Sequence, residues 1–169
     1  CAIDAGGAAT CFGNTNNNSQ QNAPDGRYKH ISVGEAHACA LNTDGDATCW
    51  GNNGSSRATP PEGTFAQIEA GHASSCGIRE DGSAECWGYS VYGETEIPEM
   101  SFSQISMGRN HGCGLTQEGT IECWGRSVNG SLDAPEGVYA MISSGENGSC
   151  ALQKDQTVVC WGNITSPDS

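Results

Sequence analysis

Apolar and polar positions in this chain repeat together every 37 residues. An aromatic (Tyr28, Phe65, Phe102, Tyr139) is followed three positions on by an isoleucine (Ile31, Ile68, Ile105, Ile142). A glycine comes three further still (Gly34, Gly71, Gly108, Gly145), and Trp50, Trp87, Trp124 and Trp161 close the unit. Prolines Pro24, Pro61, Pro98 and Pro135 punctuate the polar stretches between. No stretch has the length or the 3.6-residue period of a helix, whereas short segments broken by Gly, Pro, Asp and Asn predict strands. A period of this size predicts an all-β repeat architecture in which neighbouring units share a core.

Cysteine follows the same period. Ten cysteines form five pairs of equal spacing: Cys1 with Cys11, Cys39 with Cys49, Cys76 with Cys86, Cys113 with Cys123, and Cys150 with Cys160. One step, between the first two pairs, is 38 residues. The second cysteine precedes Phe12-Gly13 in the first unit and Trp-Gly in the other four. Between the cysteines lie Gly6-Gly7, Asp44-Gly45, Asp81-Gly82 and Glu118-Gly119, which predict a hairpin with a three-residue loop ending in a left-handed glycine. That loop sets each cysteine opposite its mate, and five disulfides local to their hairpins are expected. The last unit has Asp155-Gln156, so a glutamine must take positive φ there or the turn must change. Each unit reads as about three short strands, one from the aromatic to the glycine and two in the hairpin. The chain reads as a single repeat domain, 1–169, with hairpins 1–11, 39–49, 76–86, 113–123 and 150–160. Zinc or iron–sulfur binding is disfavoured, because metal-binding cysteines lie about two to four residues apart.

The pattern Gly-x4-Cys-x-Leu-x2-Asp-Gly-x3-Cys-Trp-Gly, read from Gly34 to Gly51, resembles the regulator-of-chromosome-condensation repeat. By repeat length it is similar to the short forms in β-lactamase inhibitor protein II and in crinkly-type receptor ectodomains. The resemblance implies a β-propeller, usually of seven blades. Five hairpins but only four preceding strands imply an open or incomplete one, completed by neighbouring repeats of the same chain or by self-association. A filament or longer tandem chain is expected over a closed ring.

Charge and composition narrow the function. Lys and Arg number 7 against 20 Asp and Glu, a net charge of −13, which disfavours nucleic acid and anionic membranes as partners. No apolar run is long enough to cross a membrane. The chain starts at Cys1 in mid-repeat, as a mature product or a segment of something longer would. Regular cystines predict an oxidising, extracellular compartment. Five Asn-x-Ser/Thr sequons occur, at Asn17, Asn53, Asn129, Asn147 and Asn163, four of them just after the aromatic-Gly pair; N-linked glycans are expected on some.

No catalytic constellation stands out. His30, His37, His72 and His111 read as structural, the acidic turns at Asp44, Asp46, Asp81, Glu118 and Asp155 as solvated rather than calcium-binding, and the tryptophan row as core. No cofactor or metal is expected. The leading expectation is a secreted, glycosylated, non-enzymatic structural or interaction module, a subunit of a filament or larger assembly. The alternative is a ligand-binding or inhibitory propeller that grips a protein or glycan through its loops, with Tyr89, Val91 and Tyr92 as candidates.

Overall fold

A computed structural model of the chain describes residues 1–13 and 19–164. It consists of one two-stranded sheet, β1 (Ala2–Ile3) and β2 (Ala9–Thr10), followed by four three-stranded sheets. These are β3 (Tyr28–Val33), β4 (His37–Asn42) and β5 (Ala47–Gly51); β6 (Gln67–Ala70), β7 (Ser74–Ile78) and β8 (Ala84–Gly88); β9 (Phe102–Met107), β10 (His111–Thr116) and β11 (Ile121–Gly125); and β12 (Tyr139–Ser144), β13 (Gly148–Gln153) and β14 (Val158–Gly162). Each sheet is an antiparallel meander, and among the described residues an isolated antiparallel bridge, Asp46 with Thr64, links the second unit to the third. The result is an open or incomplete β-propeller of repeated blades.

The hairpins form as their sequence dictates. In the second blade Asn42 N–H donates to Asp46 O and Gly45 N–H to Asn42 O, with Gly45 at φ 92°. Counting back from that hydrogen-bonded pair makes Cys39 and Cys49 a close, non-hydrogen-bonded pair, with Cα atoms 4.0 Å apart. In the last hairpin Gln156 keeps the turn by adopting φ 71°, a strain the other blades avoid with glycine.

All five hairpins carry their disulfide: Cys1 to Cys11, Cys39 to Cys49, Cys76 to Cys86, Cys113 to Cys123, and Cys150 to Cys160. The five are alike in the chain but not in their surroundings. Cys39, Cys76 and Cys113, on the middle strands, are fully buried, while their mates Cys49, Cys86 and Cys123 are half-buried against the following blade. In the first unit Cys1 and Cys11 lie just beyond the ends of β1 and β2, so this cystine closes its hairpin from outside the ladder rather than within it. Both halves are partly buried against the second blade. In the last unit Cys150 is half-buried and Cys160 is exposed, because among the described residues no blade covers them.

A single blade encloses no apolar interior; burial happens between blades. Cys39 and Leu41 of one blade pack on Phe65, Ile68, Ala70 and Trp87 of the next. Cys76 and Ile78 do the same with Phe102, Ile105, Met107 and Trp124, and Cys113 and Leu115 with Tyr139, Ile142 and Trp161. The phase of the tryptophan row follows: each indole Nε1 donates to a carbonyl 30 residues earlier, at Gln20, Arg57, Glu94 and Ser131, 2.8–3.1 Å away. The aromatic that begins each repeat donates its N–H to the turn glycine of the preceding hairpin, Gly7, Gly45, Gly82 or Gly119. In the third blade this contact precedes the regular strand, which begins at Gln67 rather than at Phe65.

Side chains clasp the inner strands where backbone ladders do not. The amide of Gln67 takes both the N–H and the C=O of Ile105, and Gln104 does the same to Ile142 (3.0–3.1 Å). A second rule governs the aromatic. Where it is Phe65 or Phe102, the residue beneath is Gly77 or Gly114, whose added Cβ would lie 2.4 Å from the ring. Where it is Tyr28 or Tyr139, the equivalent residue is Ala40 or Ala151, and the hydroxyl is drawn to the carbonyl of Pro24 or Pro135. Gly114→Ala is therefore expected to destabilise by about 1–3 kcal/mol through overpacking against Phe102. Urea unfolding with the disulfides intact checks this, and a midpoint equal to wild type is the contrary outcome.

Candidate interaction face

One face of the molecule is built from the turns between the first and second strands of each blade. The third strand exits on the same face: Asn52, Tyr89, Arg126 and Asn163 each donate N–H to the turn carbonyl of Ala36, Ala73, Asn110 or Asn147. At its centre the repeat glycines touch one another. A Cβ on Gly34 would fall 2.1 Å from Gly71 O, one on Gly71 2.9 Å from Gly108 O, and one on Gly108 2.5 Å from Gly145 O. Only glycine lets the blades approach so closely.

The residue after each of these glycines is charged or titratable: Glu35, His72, Arg109 and Glu146. They pair around a depression of about 370 Å³ floored by Val33, Ala70 and Met107. His72 Nε2 lies 2.5 Å from a Glu35 carboxylate oxygen, and Arg109 bridges to Glu146. The rim is thus satisfied by its own pairings, the Arg109–Glu146 ion pair among them, partly exposed and of small energetic weight. Taken singly His72 carries no signal in the sequence; aligning the repeats column by column sets it beside Glu35.

Among the described residues the remaining sequons share this face. Asn53 and Asn129 are exposed just past the third strand, Asn163 leaves the last blade there, and Asn147 sits in a first turn, accepting the Asn163 N–H at 2.9 Å. Asn17 lies outside the described residues. The opposite face carries the hairpin turns. There Asp46 bonds Asn42, Asp81 accepts from the Ser83 N–H and hydroxyl, and Asp155 accepts from the Thr157 N–H. These hydrogen bonds lower the carboxyl pKa of Asp81 and Asp155. Between the two faces run the cystines. The halves Cys11, Cys49, Cys86, Cys123 and Cys160 stand at or beside the outer strand of each unit, away from the charged rim, and no described cysteine is free to react or to bind metal. Among the described residues no three His, Cys, Asp or Glu side chains group as a metal site.

Two histidines lie beneath the sequon-bearing face, buried between blades. His37 Nε2 is 2.8 Å from Ser75 Oγ, and His111 Nε2 is 3.1 Å from Ser149 Oγ. Ser75 spends its proton on Arg57 O, so His37 must donate from Nε2, leaving Nδ1 buried without a partner among the described residues. Burial first, then the positive charges of Arg57 and His72, pushes the His37 pKa down to about 4; burial alone lowers that of His111. The folded state therefore favours neutral imidazole. His37's contribution is complete above about pH 6.5 and is lost as pH falls toward 4, reaching about 2 kcal/mol of lost stability by pH 5. Melting curves from pH 7 to 5 should show this decline, and His37→Gln, which keeps a donor for Ser75, should flatten it. An equally steep decline in that variant excludes His37 as the source.

The family model described as "Regulator of chromosome condensation (RCC1) repeat" matches residues 28–57 and 102–131. The chain is similar to the ectodomain of the Arabidopsis thaliana receptor kinase ACR4 (30% identity, TM-score 0.74), covering 82% of this chain and 52% of that one. It is also similar to the ectodomain of the Physcomitrella patens receptor kinase CR4 (29% identity, TM-score 0.71), covering 83% and 42%. Thus the chain spans about half the length of those ectodomains or less. Yeast RCC1 (Prp20) shares the fold at 19% identity and TM-score 0.68, over 80% of this chain and 43% of that one. The curated proteins contain no match.

Proposed function

Because the chain carries RCC1 repeats in disulfide-bearing form, we propose that it is a secreted, N-glycosylated, non-enzymatic interaction module that works within a larger extracellular assembly. The observation that carries this reading is one disulfide in every hairpin, chemistry that persists in oxidising compartments. The likeness to two plant receptor ectodomains supports it. So does the confinement of the described sequons to one face, where glycans leave the blade contacts free. After expression through a eukaryotic secretory pathway, at least two of Asn17, Asn53, Asn129 and Asn163 should carry glycans. Intact mass before and after enzymatic deglycosylation reads this directly, and an unmodified mass removes the glycan part of the proposal.

Assembly is proposed from the last blade. In the other blades Ala47, Ala84 and Ile121 pack under the blade that follows. Their counterpart Val158 is 61% exposed, and Met141, in the column of the clasping glutamines, is 56% exposed. Cys160, whose counterparts Cys49, Cys86 and Cys123 are half-buried, is exposed beside them. This face fits another repeat unit, from further chain or from a second copy stacked head to tail, and head-to-tail stacking that does not close gives a filament. Light scattering on the purified chain should show concentration-dependent association that Val158→Asp abolishes. A compact monomer at all concentrations contradicts it. The alternative, recognition of a protein or glycan through loops, is favoured by one observation, the exposed aromatic loop at 89–97.

A further inference from the structure

The segments leaving the sequon-bearing face occupy equivalent places in each blade but differ in content. Those beginning at 52 and 126 present Asn53 and Asn129. The segment 89–97 has no sequon and presents Tyr89, Val91 and Tyr92, which are 37%, 61% and 45% exposed. It is the aromatic interval between two sequon-bearing loops.

Beneath it lies a mismatch. The residue whose carbonyl holds the next tryptophan is Arg57, Glu94 or Ser131 in successive loops. Arg57 donates to Gly54 O and His72 O, while Ser131 Oγ donates to Arg126 O and accepts from Val128 N–H. Glu94 is 2% exposed; one oxygen accepts the Tyr92 N–H at 2.7 Å, and the other is buried with no partner among the described residues. A buried carboxylate oxygen lacking a donor costs free energy that an incoming donor recovers. The loop also shows which donor suits it. The Arg126 guanidinium already stands 4.6 Å over the Tyr92 ring, and the exposed Glu96 and Glu99 add negative charge with no base in the segment.

We propose that loop 89–97 is the docking site for an arginine-bearing polypeptide segment, the incoming guanidinium stacking on Tyr89 and Tyr92 and donating to Glu94. Arginine fits better than lysine because its planar fork stacks on an aromatic face and donates in the same plane. The net charge of −13 favours approach of a cationic partner. Because Glu94 is buried beneath the loop, donation to it requires the loop to shift, and Glu94→Gln reads that step. This site rests on the reading of the chain as an interaction module.

The test is calorimetric titration of the intact, secreted chain with a capped peptide bearing two arginines in a glycine–serine background. Matched lysine and glutamate peptides are run beside it at physiological salt. The arginine peptide should bind, the lysine peptide more weakly and the glutamate peptide not at all. Tyr89→Ser/Tyr92→Ser and Glu94→Gln should each weaken arginine binding by about tenfold. Asp155→Asn, on the opposite face, should change it by less than about twofold. If Glu94→Gln fails to fold, the exposed tyrosine pair decides the matter. Absence of arginine-peptide binding, or an equal loss in Asp155→Asn, overturns the docking site. A protein that carries its glycans and ignores the peptide loses this site while keeping its extracellular reading.

Discussion

The distance between neighbouring inner strands governs this molecule. A three-stranded blade has no interior of its own, so its apolar side chains leave water only if the next blade comes close enough to cover them. Along the axis that closeness is set by Gly34, Gly71, Gly108 and Gly145, where any side chain on the first three would strike the next backbone. With the spacing fixed, cystine and leucine from one blade fill the space against aromatic, isoleucine and tryptophan of the next. The tryptophan and turn-glycine hydrogen bonds then fall within 2.8–3.1 Å in each of the four blades that carry a tryptophan. The disulfides act at a different level. They close each hairpin on itself, whatever its neighbour, worth about 2–3 kcal/mol each on a loop-entropy estimate.

The 37-residue repeat is overlaid by a two-blade alternation. His37 reaches Ser75, and His111 reaches Ser149, whereas Ser74 and Gly112 stand at the intervening interface. There the room goes instead to Met107, whose sulfur sits against Cys76, and a Cβ at Gly112 would strike first the Trp124 ring and then that sulfur. The Phe/Gly and Tyr/Ala combinations match sizes within a blade instead, Phe over Gly in the third and fourth blades and Tyr over Ala in the second and fifth. Blades alike in backbone are therefore not interchangeable in sequence. Two of their interfaces bury a histidine whose pKa burial lowers, and the one between them does not.

The two faces of the propeller divide the surface. One gathers the first turns, the self-paired charged rim and the described sequons, and the other holds the acidic hairpin turns. Loop 89–97 breaks the pattern of the first face, with aromatics where its neighbours have sequons and a buried carboxylate one of whose oxygens lacks a donor among the described residues. Stability asks for none of this, since Arg57 and Ser131 perform the same structural task with their polar groups satisfied. Where a repeat departs from its own rule without a structural return, the departure is the first place to look for recognition.

Much of the fold was legible in the sequence because it depends on local geometry and on period. The cysteine spacing, with a turn glycine just past its midpoint, determined the hairpins, their register and the five disulfides. Identical phase determined that the tryptophans are core rather than a binding platform. The strain at Gln156 was visible as a missing glycine. Other features needed the tertiary structure, because they join residues one repeat apart whose meeting depends on how far the blades rotate and approach. The unequal burial of the cystines is one: spacing treats Cys11, Cys86 and Cys160 alike, and only the presence or absence of a following blade separates half-buried Cys86 from exposed Cys160. The contact of His72 with Glu35, the glutamine clasps on Ile105 and Ile142, the serine partners of His37 and His111, and the burial of Glu94 are of the same kind. A sequence shows that two columns recur; only the packed blades decide which row of one column faces which row of the other.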